Sequence, residues 1–184
     1  GGLVDISITT DNNIFLTEDI NSNGNTISFH RPVIVATDPI NIATNGGNIN
    51  FDDTLDSNTG SEDLTLTLGT GSATFAGTVG GANPLDAFSI NSAADVTFNQ
   101  TVAAASLTQS AGSGTTLFDQ AVGVAGNVDL NGTNFTVNSG LTTSGGGTVT
   151  ITNTGTLTIA DTTDASDLVN PDLSLDGAFT QDGG

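Results

Sequence analysis

The stretch ATFAGTVGGANPLDAFSINSAADVTFNQTV, residues 73–102, carries one short pattern twice. It reads Ala73-Thr74-Phe75…Val79 and then Val96-Thr97-Phe98…Val102. An apolar residue, a small polar residue and a Phe are followed, after three intervening residues, by Val. Upstream the pattern recurs as Ile27-Ser28-Phe29…Val33 and Ile49-Asn50-Phe51…Leu55. Downstream it recurs as Thr116-Leu117-Phe118…Val122 and as Phe135-Thr136-Val137…Leu141, with Val137 in the Phe place. Leu157-Thr158-Ile159 and Ala178-Phe179 read as weaker copies. Successive key positions are 22, 24, 23, 20, 19, 22 and 20 residues apart. A helical repeat holds its length through packing, whereas a structure built of strands lets its loops vary while the strands stay in register.

A second strand follows in most repeats. Ile40-Asn41-Ile42, Leu64–Leu68, Phe88-Ser89-Ile90, Val128-Asp129-Leu130 and Val149-Thr150-Ile151 alternate apolar and polar residues, which turns one face inward. In the fourth repeat the equivalent, Ser106-Leu107-Thr108-Gln109, is weaker. Turns follow at Asn45-Gly46-Gly47, Gly69-Thr70-Gly71, Asn131-Gly132 and Asn153-Thr154-Gly155. An immunoglobulin-like sandwich also has strands every ten or so residues. It does not need the same residue class at the same place in every second strand. A solenoid does, because like positions stack ~4.8 Å apart along its axis. The expected fold is therefore all-β, a right-handed parallel β-solenoid of about eight coils of 19–24 residues, roughly 40 Å long. Its inner ladders are Phe29, Phe51, Phe75, Phe98, Phe118 and Val33, Leu55, Val79, Val102, Val122, Leu141. The residues before each Phe, Ser28, Asn50, Thr74, Thr97, Leu117 and Thr136, face outward. One unit spans 1–184, with regular coils over 27–181. An echo at an offset of 13 or 14, from Ile6, Ile14, Leu16 and Ile20 to Ile20, Ile27, Phe29 and Val33, implies short or irregular coils over 1–26.

Composition agrees. Of 184 residues, 20 are acidic and one, Arg31, is basic, for a net charge of −19. Only Glu18 and Glu62 are Glu, and the other 18 acids are Asp, which favours turns and strand ends over helices. Thr (31), Gly (24) and Asn (19) suit strands and tight turns. There is no Lys, Cys, Met, Trp or Tyr. A thiol nucleophile, a Cys-ligated zinc and a Lys Schiff base are thereby excluded. One Arg makes no phosphate-binding patch, so nucleic acid is not an expected partner. No apolar run reaches 18 residues, so membrane insertion through a helix is not expected. The absence of Cys and Met suits an oxidising, extracellular setting. The start, Gly1-Gly2-Leu3, has no leader character, and the sequence reads as a piece of a longer chain.

The same stretch, together with Asp129–Val137 and Leu175–Gln181, resembles the β-strand repeats of giant bacterial surface proteins, the filamentous-haemagglutinin-like and adhesin-like chains. The resemblance covers most of residues 27–181. It implies a secreted or surface-anchored β-solenoid serving as stalk, fibre or adhesin, and it implies no ligand.

Few residues offer chemistry. His30 and Arg31 stand at a corner, facing outward, and Arg31 is placed to pair with Asp52 or Asp53 one coil on. No Ser-His-Asp set follows from spacing alone. The clusters Asp52, Asp53, Asp56, Glu62, Asp63 and Asp161, Asp164, Asp167 could supply oxygen ligands to calcium, yet they fit neither an EF-hand nor a calcium-binding β-roll. The competing reading, preferred here, is that Asp caps turns and keeps the chain soluble. No catalytic, cofactor or metal residue is assigned, and no enzyme is expected. Asn99, Asn131 and Asn134 open Asn-x-Thr sequons, a number that this much Asn and Thr produces by chance. The Thr-x-Thr pairs do not align over enough coils for an ice-binding face. The expected role is a building unit of an extracellular or cell-surface filament, stalk or matrix fibre, stacked end to end on copies of itself. The alternative is an adhesin segment that binds a cell surface or matrix component through loops such as Asn83-Pro84 or Asn170-Pro171-Asp172. A carbohydrate-active β-helix enzyme is the remote alternative.

Overall fold

The computed structural model describes residues 6–8, 10–160 and 173–184. Every element in it is a strand or a turn, and every strand pairing is parallel. The chain winds through about seven turns of a β-solenoid with three faces. Face one stacks Ile6–Ile8, Ile27–Phe29, Ile49–Phe51, Ala73–Phe75, Val96–Phe98, Thr115–Phe118, Asn134–Val137 and Leu157–Ile159. These eight rungs mark out seven steps. Face two stacks Ile14–Leu16, Val33–Val35 and Leu55–Ser57, crosses Val79 by single bridges, and runs on through Val102, Val122, Leu141 and Leu173. Face three carries the second strands, from Ile20–Asn21 to Phe179–Gly183.

Both expected inner ladders form. Phe29, Phe51, Phe75, Phe98 and Phe118 are fully buried or nearly so, and their rings stack face to face at 5.0, 5.1, 4.5 and 5.0 Å. The spacing is that of adjacent strands, so the backbone ladder itself delivers each ring to its neighbour. Phe88 enters from face three and meets Phe75 and Phe98 edge-on, at 84° and 88°. Where the stack ends, Val137 pairs with Phe118, and Phe135 takes the next inward position of the same strand. The outward ladder of Ser28, Asn50, Thr74, Thr97, Leu117 and Thr136 is in register throughout, and Ser7 and Thr158 extend it.

Two local expectations need correction. Residues 6–26 do not follow the 13- or 14-residue echo. Ile6 pairs with Ile27, Ile14 with Val33 and Ile20 with Ile42, offsets of 21, 19 and 22 that match an ordinary coil. Phe179 does not continue the Phe ladder. It pairs with Val149 on face three. The weak strand around Gln109 is fully part of face three, and Gln109 itself points inward between Ile90 and Leu130. A buried amide costs free energy unless its polar atoms are matched. Here Thr116 Oγ1 donates to Gln109 Oε1 (2.8 Å) and Gln109 Nε2 donates to the Asn131 carbonyl (3.2 Å), so both polar ends are satisfied inside the core.

Candidate functional site

Most of the described acidic residues stand at or beside the corners, and several are used in one recurring way. A side-chain oxygen of one coil accepts a backbone N–H of the next. Asp19 receives Asn41 N–H (2.7 Å), Asp38 receives Asp63 N–H (3.1 Å), and Asp63 in turn receives Ala87 N–H (2.8 Å). Asp56 receives Ala82 N–H, Asp95 receives Thr115 N–H, and Asn127 and Asn134 do the same for Thr148 and Thr156. At a corner the strand ladder is interrupted and its amides need other acceptors. A short carboxylate or carboxamide fills that gap without reaching beyond one 4.8 Å step.

This use engages several of the suspected calcium ligands. Asp56 and Asp63 are engaged with the next coil, and Asp53 accepts the N–H of its own neighbour Thr54. Among the described residues no group of three or more His, Asp or Glu is placed to hold a metal ion. Asp161, Asp164, Asp167 and the Asn170-Pro171-Asp172 loop lie outside the described residues.

Glu62 is the exception in depth. It is buried at 6% exposure inside the loop Ser57–Glu62. Thr59 N–H (2.9 Å), Thr59 Oγ1 (2.6 Å), Ser61 N–H (3.3 Å) and the Ser57 hydroxyl all donate to its carboxylate, and Ser57 Oγ accepts Gly60 N–H. Burial pushes the carboxyl pKa up, but these donors outweigh it and bring it from an ordinary 4.5 down to about 2. A carboxyl depressed on folding contributes stability above its unfolded value and loses it as pH falls through the folded one. Thermal unfolding from pH 6 to 2 should therefore show the native chain losing stability between about 4.5 and about 2. Glu62→Gln should cost about 1–3 kcal/mol at pH 6. The gap between the two proteins should close across that window. A constant gap at every pH would show that the donors do not act on the charged form.

His30 lies at its corner as expected, half-exposed, and it is His30 rather than Arg31 that meets Asp52. Asp52 approaches the imidazole, with Oδ2 2.5 Å from Nδ1. Arg31 instead donates Nε–H to the Thr10 carbonyl (2.9 Å). The other ring nitrogen, Nε2, lies 2.9 Å from Ser7 Oγ. A carboxylate only accepts, so Nδ1 is the donor toward Asp52, and in the neutral ring Nε2 is left as the acceptor for the Ser7 hydroxyl. The three side chains belong to three successive rungs. Ser7 pairs with Ser28, His30 follows two residues after Ser28, and Asp52 follows two residues after Asn50 on the next rung. Backbone bonds hold the step: His30 N–H donates to the Ile8 carbonyl and Asp52 N–H to the Phe29 carbonyl.

No protein-family profile, no curated protein and no solved structure matches this chain.

Ser7 is the residue that sequence reasoning missed. The signal was available in the parallel between Ile6-Ser7-Ile8 and Ile27-Ser28-Phe29. Reading that offset of 21 in place of the echo of 13 or 14 puts Ser7 one rung from His30. The other surface features are plain. Gly81–Pro84 is exposed, and its Asn83 Nδ2 donates to the Asn58 carbonyl at 3.4 Å. The Asn134 side chain is occupied by Thr156, through both N–H and Oγ1. Among the described residues no helix is long and apolar enough to cross a membrane.

Proposed function

We propose that this chain is a structural building unit of an extracellular or cell-surface bacterial filament, stalk or matrix fibre, extended by stacking along the solenoid axis. The observation that supports this reading is the state of the terminal rungs. Among the described residues, Leu157–Ile159 and Phe179–Gly183 each pair on one side only, as does Ile6–Ile8 at the opposite end. Open strand edges template further pairing. Phe179 is 40% exposed where its rung neighbour Val149 is fully buried, so the apolar column stops uncovered. Another coil, from a second copy or from further along a longer chain, would cover it in register. The resemblance of the repeats to giant bacterial surface proteins, and the absence of Cys and Met, support the extracellular setting. The high negative charge fits a fibre that repels its neighbours sideways while growing at its ends.

Sedimentation of the 184-residue chain from micromolar to millimolar concentration, followed by electron microscopy, tests the proposal. End-to-end rods one solenoid wide are the expected product. A monomer at all concentrations, with slow amide exchange in Ile6–Ile8 and Phe179–Gly183, would overturn it. A monomer of that kind that binds a cell surface would favour the adhesin alternative.

A further inference from the structure

We infer that Ser7, His30 and Asp52 form a nucleophilic site that takes an acyl group from small uncharged or cationic esters. The reading is independent of the filament proposal. It rests on the order of contacts, Ser7 Oγ to His30 Nε2 at 2.9 Å and His30 Nδ1 to Asp52 Oδ2 at 2.5 Å. A nucleophile within hydrogen-bond reach of a base, with the base oriented by a third group, is the geometric signature of an activated hydroxyl, whatever the fold that carries it. Each side chain is held on a different rung of a parallel ladder, so the rigid strand spacing fixes their separation. A fourth group completes the site. Ser28 stands beside Ser7 on the outward ladder, and its Oγ accepts Asn50 Nδ2–H at 3.1 Å, which leaves the Ser28 hydroxyl proton to be donated. On the rung adjacent to Ser7, it is the side-chain donor available to stabilise the oxyanion that attack at Ser7 would create.

The chemistry balances without a further reactant. Ser7 Oγ adds to the ester carbonyl as His30 Nε2 takes the hydroxyl proton. The tetrahedral oxyanion collapses, the C–O bond to the leaving alcohol breaks, and His30 returns the proton to that alcohol. Water, deprotonated by His30, then cleaves the acyl-Ser7 ester and releases the carboxylic acid. Asp52 accepts from Nδ1 throughout and stabilises the imidazolium. The substrate class follows from charge and access. A net charge of −19 disfavours anionic esters. The His30 and Asp52 side chains are 38% and 50% exposed, so the ester is met at an open surface. Small acyl groups are therefore favoured over those that need an enclosing pocket.

The test uses the whole chain with p-nitrophenyl acetate and a neutral alkyl fluorophosphonate, read by nitrophenolate release and by peptide mass spectrometry. Modification should concentrate on Ser7 and vanish in Ser7→Ala. Because a positioned base contributes about 10²–10⁴-fold, His30→Gln should slow labelling of Ser7 at least a hundredfold. Asp52→Asn should slow it too, while the exposed pair Ser7 and Asp52 can be changed without loss of the β-sheet circular dichroism spectrum. Label spread over the other serines, or a Ser7 rate unchanged by His30→Gln in a folded variant, would overturn the inference.

Discussion

Replacing Phe98 by Ala should destabilise the chain by about 3–5 kcal/mol. Phe98 is 1% exposed and sits in the middle of the ring stack, 4.5 Å from Phe75 and 5.0 Å from Phe118, with Phe88 edge-on at 6.0 Å. Truncation removes three aromatic contacts and leaves a cavity that the neighbouring rungs cannot close, because the strand ladders above and below hold them one coil apart. Thr97, the preceding residue of the same strand, faces outward between Thr74 and Leu117. Thr97→Ala should therefore cost less than about 1 kcal/mol. Denaturant unfolding of the two variants checks the pair. Equal losses would mean that the ring stack does not carry the core.

A substitution that adds one carbon should be nearly as damaging. At Gly71 a Cβ would lie 1.9 Å from the carbonyl oxygen of Gly47, and at Gly47 it would lie 2.1 Å from that of Asn25. The corner between faces three and one brings successive backbones into direct contact at these points. The obstructing atoms are main-chain atoms, which do not swing aside as a side chain does. Gly71→Ala must push one coil away from the next, and the corner bonds around it, such as Gly71 N–H to the Leu68 carbonyl (3.1 Å) and Ala94 N–H to the Gly71 carbonyl (2.8 Å), would lengthen. Overpacking of this kind costs about 1–3 kcal/mol and more where backbone must move, so a loss of about 3 kcal/mol is expected. Gly123 is the control. It lies on the outward side of face two with nothing within 4 Å of an added Cβ. Gly123→Ala should change stability by no more than about 0.5 kcal/mol. If Gly71→Ala unfolded at the same denaturant concentration as Gly123→Ala, the close approach of the corners would be wrong.

The Asp-rich corners show a structural use of acidic residues that composition alone does not reveal. Eighteen Asp residues in a chain with one Arg suggest ion binding. In the folded chain Asp19, Asp38, Asp56, Asp63 and Asp95 each accept a backbone N–H from the following coil. These five acid side chains are thus part of the wall. Their spacing along the sequence cannot reveal this, because each partner lies 20–26 residues away.

The local pattern determined the parallel stack of strands, the ladder from Phe29 to Phe118, the ladder from Val33 to Leu141 and the outward row from Ser28 to Thr136. It could do so because a solenoid repeats its environment at every step, so inward positions select the same residue class each time. Alternation within each strand then assigns the faces. Only the tertiary structure decided which rung each end strand joins, since corner lengths vary and the count of residues between rungs is not constant. That is how Phe179 comes to lie on Val149, and how Ile6 comes to lie on Ile27. It also decided the fate of Gln109, whose burial depends on a partner, Thr116, on a different face. The meeting of Ser7, His30 and Asp52 has the same origin. Residues 23 and 22 positions apart become neighbours when each coil closes to one strand spacing, and that closure is a property of the whole turn rather than of any segment within it.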